Sequence, residues 1–331
     1  MKNMTHEEWK EARKGVKRYM SVSGWALLVY YFLMNVSVIG FMAVEVVAKL
    51  LHGIIADNPV SIENAVIQAS ESAWGYFFAA AIGFAILLIW KKPGFLKYEI
   101  FAKAAPMKAG EFFSILCIFL GEQMIFQLGV SLLELILNAF GYTVSEGLAS
   151  LETDPDNFSM FLYAGILAPV TEEILFRGFI QRTMLPFGKK FAIVVSALTF
   201  GLFHGNLLQT PYAFAVGLVL GYVAAEYNIF WAIVLHVINN LVLGDLLYRV
   251  LSPLPEDMVN LIIWCMILAF AVAAVVILIG KRKEAAAWLR KETMIRAYVR
   301  CYFSCAGTIA MLIIMGVSTL ITTFAMITPL S

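Results

Sequence analysis

The sequence predicts an all-α fold, a polytopic transmembrane helical bundle of eight or nine spans. Three observations predict it. Of the 331 residues, 61% are hydrophobic and only 14% are charged, against about 25% charged in an ordinary soluble domain. The mean hydropathy is +0.82, and a globule of this size has too few polar side chains here to cover its surface. Apolar runs of bilayer length also alternate with loops whose charge alternates in sign. These features exclude a cytosolic enzyme, a disordered chain and a secreted disulfide scaffold. The net charge of +1 provides no basic field, so no nucleic-acid partner is expected. Cys117, Cys265, Cys301 and Cys305 form no CxxC pair and read as small buried hydrophobes.

The elements follow in order. Residues 1–22 form a basic amphipathic tail with Lys2, Lys10, Arg13, Lys14, Lys17 and Arg18, and 23–331 form one membrane domain. A span needs about 20 apolar residues. The first run, 23–50, is too long for a signal-peptide core and lacks a small-residue cleavage site. The second is 72–90. The third, 111–138, carries a stripe of Gln123, Gln127, Ser131 and Glu134 with Glu122 nearby, which either lines a cavity or bonds to neighbouring helices. The fourth is 158–181 and the fifth 190–208. The sixth, 211–227, is short and holds Gly217 and Gly221, so it tilts little or packs tightly. The last three are 229–249, 258–280 and 304–328.

Loop charges set the orientation. The tail, 91–108, Arg182 to Lys190 and 281–300 are basic. The alternate loops hold Asp57 and Glu63, then Glu146, Glu152, Asp154 and Asp156, then Glu256 and Asp257. The positive-inside rule places the N-terminus in the cytoplasm. Nine spans put the C-terminus outside, and eight put it inside. The stretch 281–300, with Trp288 and Leu289 among cations, reads as an interfacial anchor on the lipid bilayer.

A charge at mid-bilayer costs roughly 2.5–3.5 kcal/mol on insertion scales. The fourth span nevertheless reads Ala168-Pro-Val-Thr-Glu-Glu-Ile-Leu-Phe-Arg177-Gly178. Glu173 and Arg177 are four apart and share a helix face, so they are expected to pair. Glu172 is rotated about 100° from Glu173, which leaves it free to meet another helix and to serve as a general base. Phe200 and His204 in the fifth span, and His236 and Asn240 in the seventh, also share faces at i, i+4 spacing.

Glu172, His204, His236 and Asn240 would thus converge from three helices, and two chemistries fit. In one, Glu172, His204 and His236 hold a divalent metal such as zinc whose bound water attacks a carbonyl. In the other, Glu172 and a histidine activate water directly, while Asn240 and the other histidine stabilise the oxyanion. There is no His-Glu-x-x-His, no Gly-x-Ser-x-Gly and no intramembrane aspartate pair, so serine and aspartyl chemistry are poorly supported.

Glu172-Glu173-x-x-x-Arg177, Phe200-x-x-x-His204 and His236-x-x-x-Asn240, in that order, resemble the three motifs of the CPBP family. That family contains CAAX-type prenyl endopeptidases and bacterial Abi or bacteriocin-processing proteins. The resemblance covers about 155–250. It implies an intramembrane endopeptidase in which Glu172 matches the catalytic glutamate and Glu173 and Arg177 its supporting pair. His204, His236 and Asn240 match the remaining site positions. The family is described both as metal-dependent and as glutamate-type. The resemblance further implies a peptide or membrane-protein substrate and an integral protein of a bacterial plasma membrane. The rival readings are a non-catalytic membrane immunity or scaffold protein and a proton-coupled transporter; the latter would predict repeat symmetry and broken spans, which the sequence lacks.

Overall fold

A computed structural model describes residues 6–91, 105–149, 157–291 and 296–330. Lys2, residues 92–104 of the basic loop 91–108, and Glu152, Asp154 and Asp156 lie outside the described residues. All nine predicted runs are helical. The first belongs to α1 (His6–Ile55), which at 1.5 Å per residue is about 75 Å long. It passes residue 22 without a break, so the basic tail and the first span are one helix. The short α2 (Ile62–Ser70) leads into α3 (Trp74–Lys91). The third run divides into α4 (Ala109–Gly121) and α5 (Gln123–Ala139). A two-residue strand, β1 (Tyr142–Thr143), and the short α6 (Ser145–Ala149) follow.

The fourth run is α7 (Phe158–Phe187), α-helical except for π-helical turns at Tyr163–Leu167 and Ile174–Gln181 and a 3-10 turn at Leu185–Phe187. Then come α8 (Lys189–Phe203), α9 (Thr210–Glu226) and α10 (Ile229–Leu251). α11 (Glu256–Gly280) is followed by the basic α12 (Arg282–Lys291) and α13 (Arg296–Tyr302). The chain ends with α14 (Ala306–Ala325) and β2 (Thr328–Pro329), which pairs antiparallel with β1.

Among the described residues six helices are long and apolar enough to cross a bilayer, and a seventh if α2 and α3, bent by 44°, are one span. The remaining two of the nine predicted runs are α8, 15 residues, and α9, 17 residues. At about 22 and 25 Å they are short of a hydrocarbon core of about 30 Å. The reason is local: Gly205 at φ 70° ends the climb of α8 and starts the turn into α9. Among the described residues the helices of full bilayer length thus number six or seven, and every one of the nine predicted runs is a helix.

Lipid gives apolar side chains no reason to prefer each other, so helices associate through close packing and hydrogen bonds. α1 crosses α14 where Gly24 meets Gly307, and a Cβ on Gly24 would lie 2.4 Å from the Gly307 backbone. Ser21 Oγ accepts from Gly307 N–H at 2.8 Å at this crossing. The buried centre is formed by α7, α8 and α9, with Phe176, Phe179, Phe200, Leu220 and Val223. The outward faces are apolar too: Phe32, Val44, Leu261, Val276 and Phe324 are all more than half exposed. Such a belt requires lipid, and the protein is an integral membrane protein.

Candidate active site

Proline at 169 organises the first half of α7. In an α-helix the Ala164 carbonyl would accept from the N–H of Ala168, but that N–H goes to Tyr163 O. The next position is Pro169, which has no N–H. The Ala164 carbonyl is thus left out of the helix ladder, and a stranded carbonyl is expensive inside a membrane. Asn240 Nδ2 donates to it at 3.1 Å. The two helices come close enough because residue 165 is glycine; a Cβ there would sit 2.8 Å from Leu241.

One turn further on α7 lie the carboxylates. Glu173 and Arg177 are both fully buried and pair at 2.8 Å, Arg177 Nη1 donating to Glu173 Oε1. The same oxygen meets His236 Nδ1 at 2.9 Å. A carboxylate already paired with Arg177 accepts only, so the His236 proton sits on Nδ1. The other ring nitrogen, Nε2, faces Glu172 Oε2 at 3.7 Å. The imidazole therefore bridges the two glutamates. Glu172 differs from Glu173 in access: 19% of its side chain is open, against none of Glu173. The open carboxylate is the one that can meet a ligand.

Phe200 ties this group to the fifth run. Its buried ring meets His204 at 4.8 Å and 82° and His236 at 5.7 Å and 86°, and the Arg177 guanidinium lies 4.4 Å over it. His204 Nδ1 is 2.9 Å from Phe200 O. A carbonyl only accepts, so Nδ1 carries the proton and Nε2 of the neutral ring is an acceptor. Glu172 lies within charge range of His204, Tyr30 and Tyr163. The turn after His204 is pinned from α14, where Thr323 Oγ1 accepts from Leu207 N–H at 2.8 Å.

α9 closes the back of the site through matched contacts one turn apart. Arg177 Nη2 donates to Gly217 O at 3.3 Å, and Gln181 Nε2 to Gly221 O at 2.9 Å. Gly217 is a close approach: a Cβ there would lie 2.9 Å from Ala197 Cα. Gly217→Leu is therefore expected to cost about 1–3 kcal/mol through overpacking, read as an earlier thermal unfolding in detergent. A melt equal to wild type would show the α8–α9 contact to be slack.

Of the residues singled out by sequence, Glu172, Glu173, Arg177, His204 and His236 are brought together around Phe200. Asn240 lies a turn beyond His236, bonded to Ala164 and accepting from Asn239 Nδ2 at 3.0 Å. The predicted stripe on the third run is split. Gln123 reaches Asn239 Oδ1 at 3.1 Å, while Glu134 accepts from Val144 N–H at 3.0 Å outside the bundle. Sequence reasoning missed Asn239, Tyr212, Tyr30 and Tyr163. The doublet Asn239-Asn240 in an apolar run was the available signal; the tyrosines gave none.

Among the described residues no three His, Cys, Asp or Glu side chains are placed to hold a metal ion. Both imidazoles hold Nδ1 in a hydrogen bond, His236 to Glu173 and His204 to a carbonyl, which leaves Nε2 of each free, that of His236 3.7 Å from Glu172. A metal-ligating histidine is held through its second nitrogen in this way, so the donor chemistry of Glu172, His204 and His236 suits a divalent ion such as zinc, while their placement here is not that of a gathered ligand set.

Comparison with known proteins covers the same region. No curated protein and no solved structure matches the chain. Residues 154–242, which hold all six site residues, match the family model of type II CAAX prenyl endopeptidase Rce1-like proteins, and this is consistent with a CPBP or CAAX protease family.

Proposed function

We propose that this protein is a CAAX-type intramembrane endopeptidase of the glutamate type, hydrolysing peptide bonds of a membrane-associated or peptide substrate. The observation that carries the reading is the accessible Glu172 facing His236 Nε2, with the Glu173–Arg177 pair fixed behind it. The family-model match supports a peptidase. The protein is read as lying in a bacterial plasma membrane with its N-terminus in the cytoplasm.

The residues divide the work as follows. Glu172 and the acceptor nitrogen of His204 hold the water. Glu172 takes its proton as the water oxygen bonds to the scissile carbonyl carbon. The carbonyl π pair moves to oxygen, where the second N–H of Asn240 donates to it, while His236, its Nδ1–H held by Glu173, keeps Nε2 toward Glu172. Collapse breaks the C–N bond, and Glu172 returns its proton to the leaving amine.

The test compares N-terminal peptides from membranes and medium of cells making wild type or Glu172→Ala, by mass spectrometry. New N-termini with wild type alone support the proposal and identify the substrate. Identical profiles from two well-folded proteins would favour the immunity or scaffold reading. On the purified enzyme, a chelator is expected to leave cleavage unchanged. Loss of activity that returns with added zinc would overturn the glutamate mechanism.

A further inference from the structure

The oxyanion role given to Asn240 needs its amide to face one way, with N–H and not oxygen toward the site. An amide is nearly symmetric in shape, so hydrogen bonds alone decide which end points where. The structure contains a chain of bonds that decides it. Gln123 Nε2 and Tyr212 OH both donate to Asn239 Oδ1, at 3.1 and 3.3 Å. Gln123 Nε2 also donates to Tyr212 OH, so the hydroxyl proton points to Asn239. With its oxygen so held, Asn239 turns Nδ2 to Asn240 Oδ1 at 3.0 Å. Asn240 then has its oxygen occupied and its amino group toward Ala164 O. One of its two N–H groups is used there, and among the described residues no acceptor takes the other.

Every bond runs in the same donor direction, from Gln123 through Asn239 and Asn240 to the carbonyl exposed by Pro169. Aligned bonds in a low-dielectric setting polarise one another. Gln123 opens α5, a helix outside the matched segment 154–242, and Tyr212 lies in the first turn of α9. We infer that Gln123, Tyr212 and Asn239 are positioning residues that set the orientation of the Asn240 amide and thereby its capacity to donate to the oxyanion. None of the three is assigned a place at the reacting atoms. The inference rests on the peptidase reading above.

The test is a double-mutant cycle on purified full-length protein: wild type, Asn239→Ala, Asn240→Ala and the double variant. The probe is a synthetic peptide spanning the cleavage site found in the comparison of cell peptides. Asn240→Ala is expected to lower kcat about 100-fold with KM little changed, the effect of losing one oxyanion donor. Asn239→Ala is expected to lower kcat about tenfold, as is Gln123→Ala combined with Tyr212→Phe. The double variant Asn239→Ala/Asn240→Ala should be no slower than Asn240→Ala alone, because Asn239 acts only through its neighbour. Losses that multiply to about 1000-fold, or a normal kcat in Asn239→Ala, would overturn the inference.

The same four proteins are melted in detergent. Non-additive shifts in Tm are expected, and additive ones would overturn the contact whether or not cleavage occurs. Coupled melts with no cleavage by wild type would sink the peptidase reading and leave the contact standing.

Discussion

Glu172→Ala is expected to slow peptide cleavage about 10²–10⁴-fold, the usual worth of a positioned general base, with the fold intact. The two halves of this expectation have separate causes. Glu172 is the accessible carboxylate of the pair, and its approach to His236 Nε2 at 3.7 Å is longer than a hydrogen bond. Removing it leaves the bonds of Glu173 to Arg177 and His236 in place, so little stability is lost. Glu172→Gln keeps the shape but accepts no proton, and should be as slow as alanine. The check is the rate on a fixed peptide together with a melting curve. A normal rate in either variant would remove Glu172 from the role of base; slow cleavage with a collapsed melt would make its role structural.

Arg177→Ala should do the opposite, costing about 3–5 kcal/mol of stability because it strands a buried carboxylate. Glu173 has no solvent access, and its Oε2 already lacks a hydrogen-bond partner. Without Arg177 the charge on Oε1 rests on His236 alone. Gly217 O also loses the Arg177 N–H, and Phe200 loses the cation over its face. Folded yield in detergent and thermal unfolding measure the loss. Arg177→Met with Glu173→Gln removes both charges together and should recover much of the stability without recovering cleavage, since His236 then loses its anchoring carboxylate. Wild-type stability in Arg177→Ala would contradict the buried pair.

The local part of this site was legible in the sequence. Glu173 and Arg177 meet because residues four apart share a helix face, and the same rule placed Phe200 beside His204. What the sequence could not show depends on distant segments. His236 bridging both glutamates requires α10 to pack against α7 at Gly165. The role of Gln123 requires α5 to reach α10. The π turn at Ile174–Gln181 spends an extra residue per turn, so a residue count at the ideal rise does not measure distance along that half of α7. Composition and hydropathy predicted a helical membrane bundle because they sum over many residues. They marked the sixth run as short but not the early end of the fifth at Phe203, where one glycine at positive φ turns the chain.

The carbonyl of Ala164 has a consequence of another kind. Its stretching frequency reports the strength of the bond that Asn240 makes to it. An isotope-edited carbonyl at this single position would absorb apart from the rest of the backbone. Whenever a bound peptide draws the Asn240 amide toward its own oxygen, that band should move to higher frequency. The proline that interrupts the helix has thus left a vibrational gauge beside the proposed site, one that reads occupancy without any added dye.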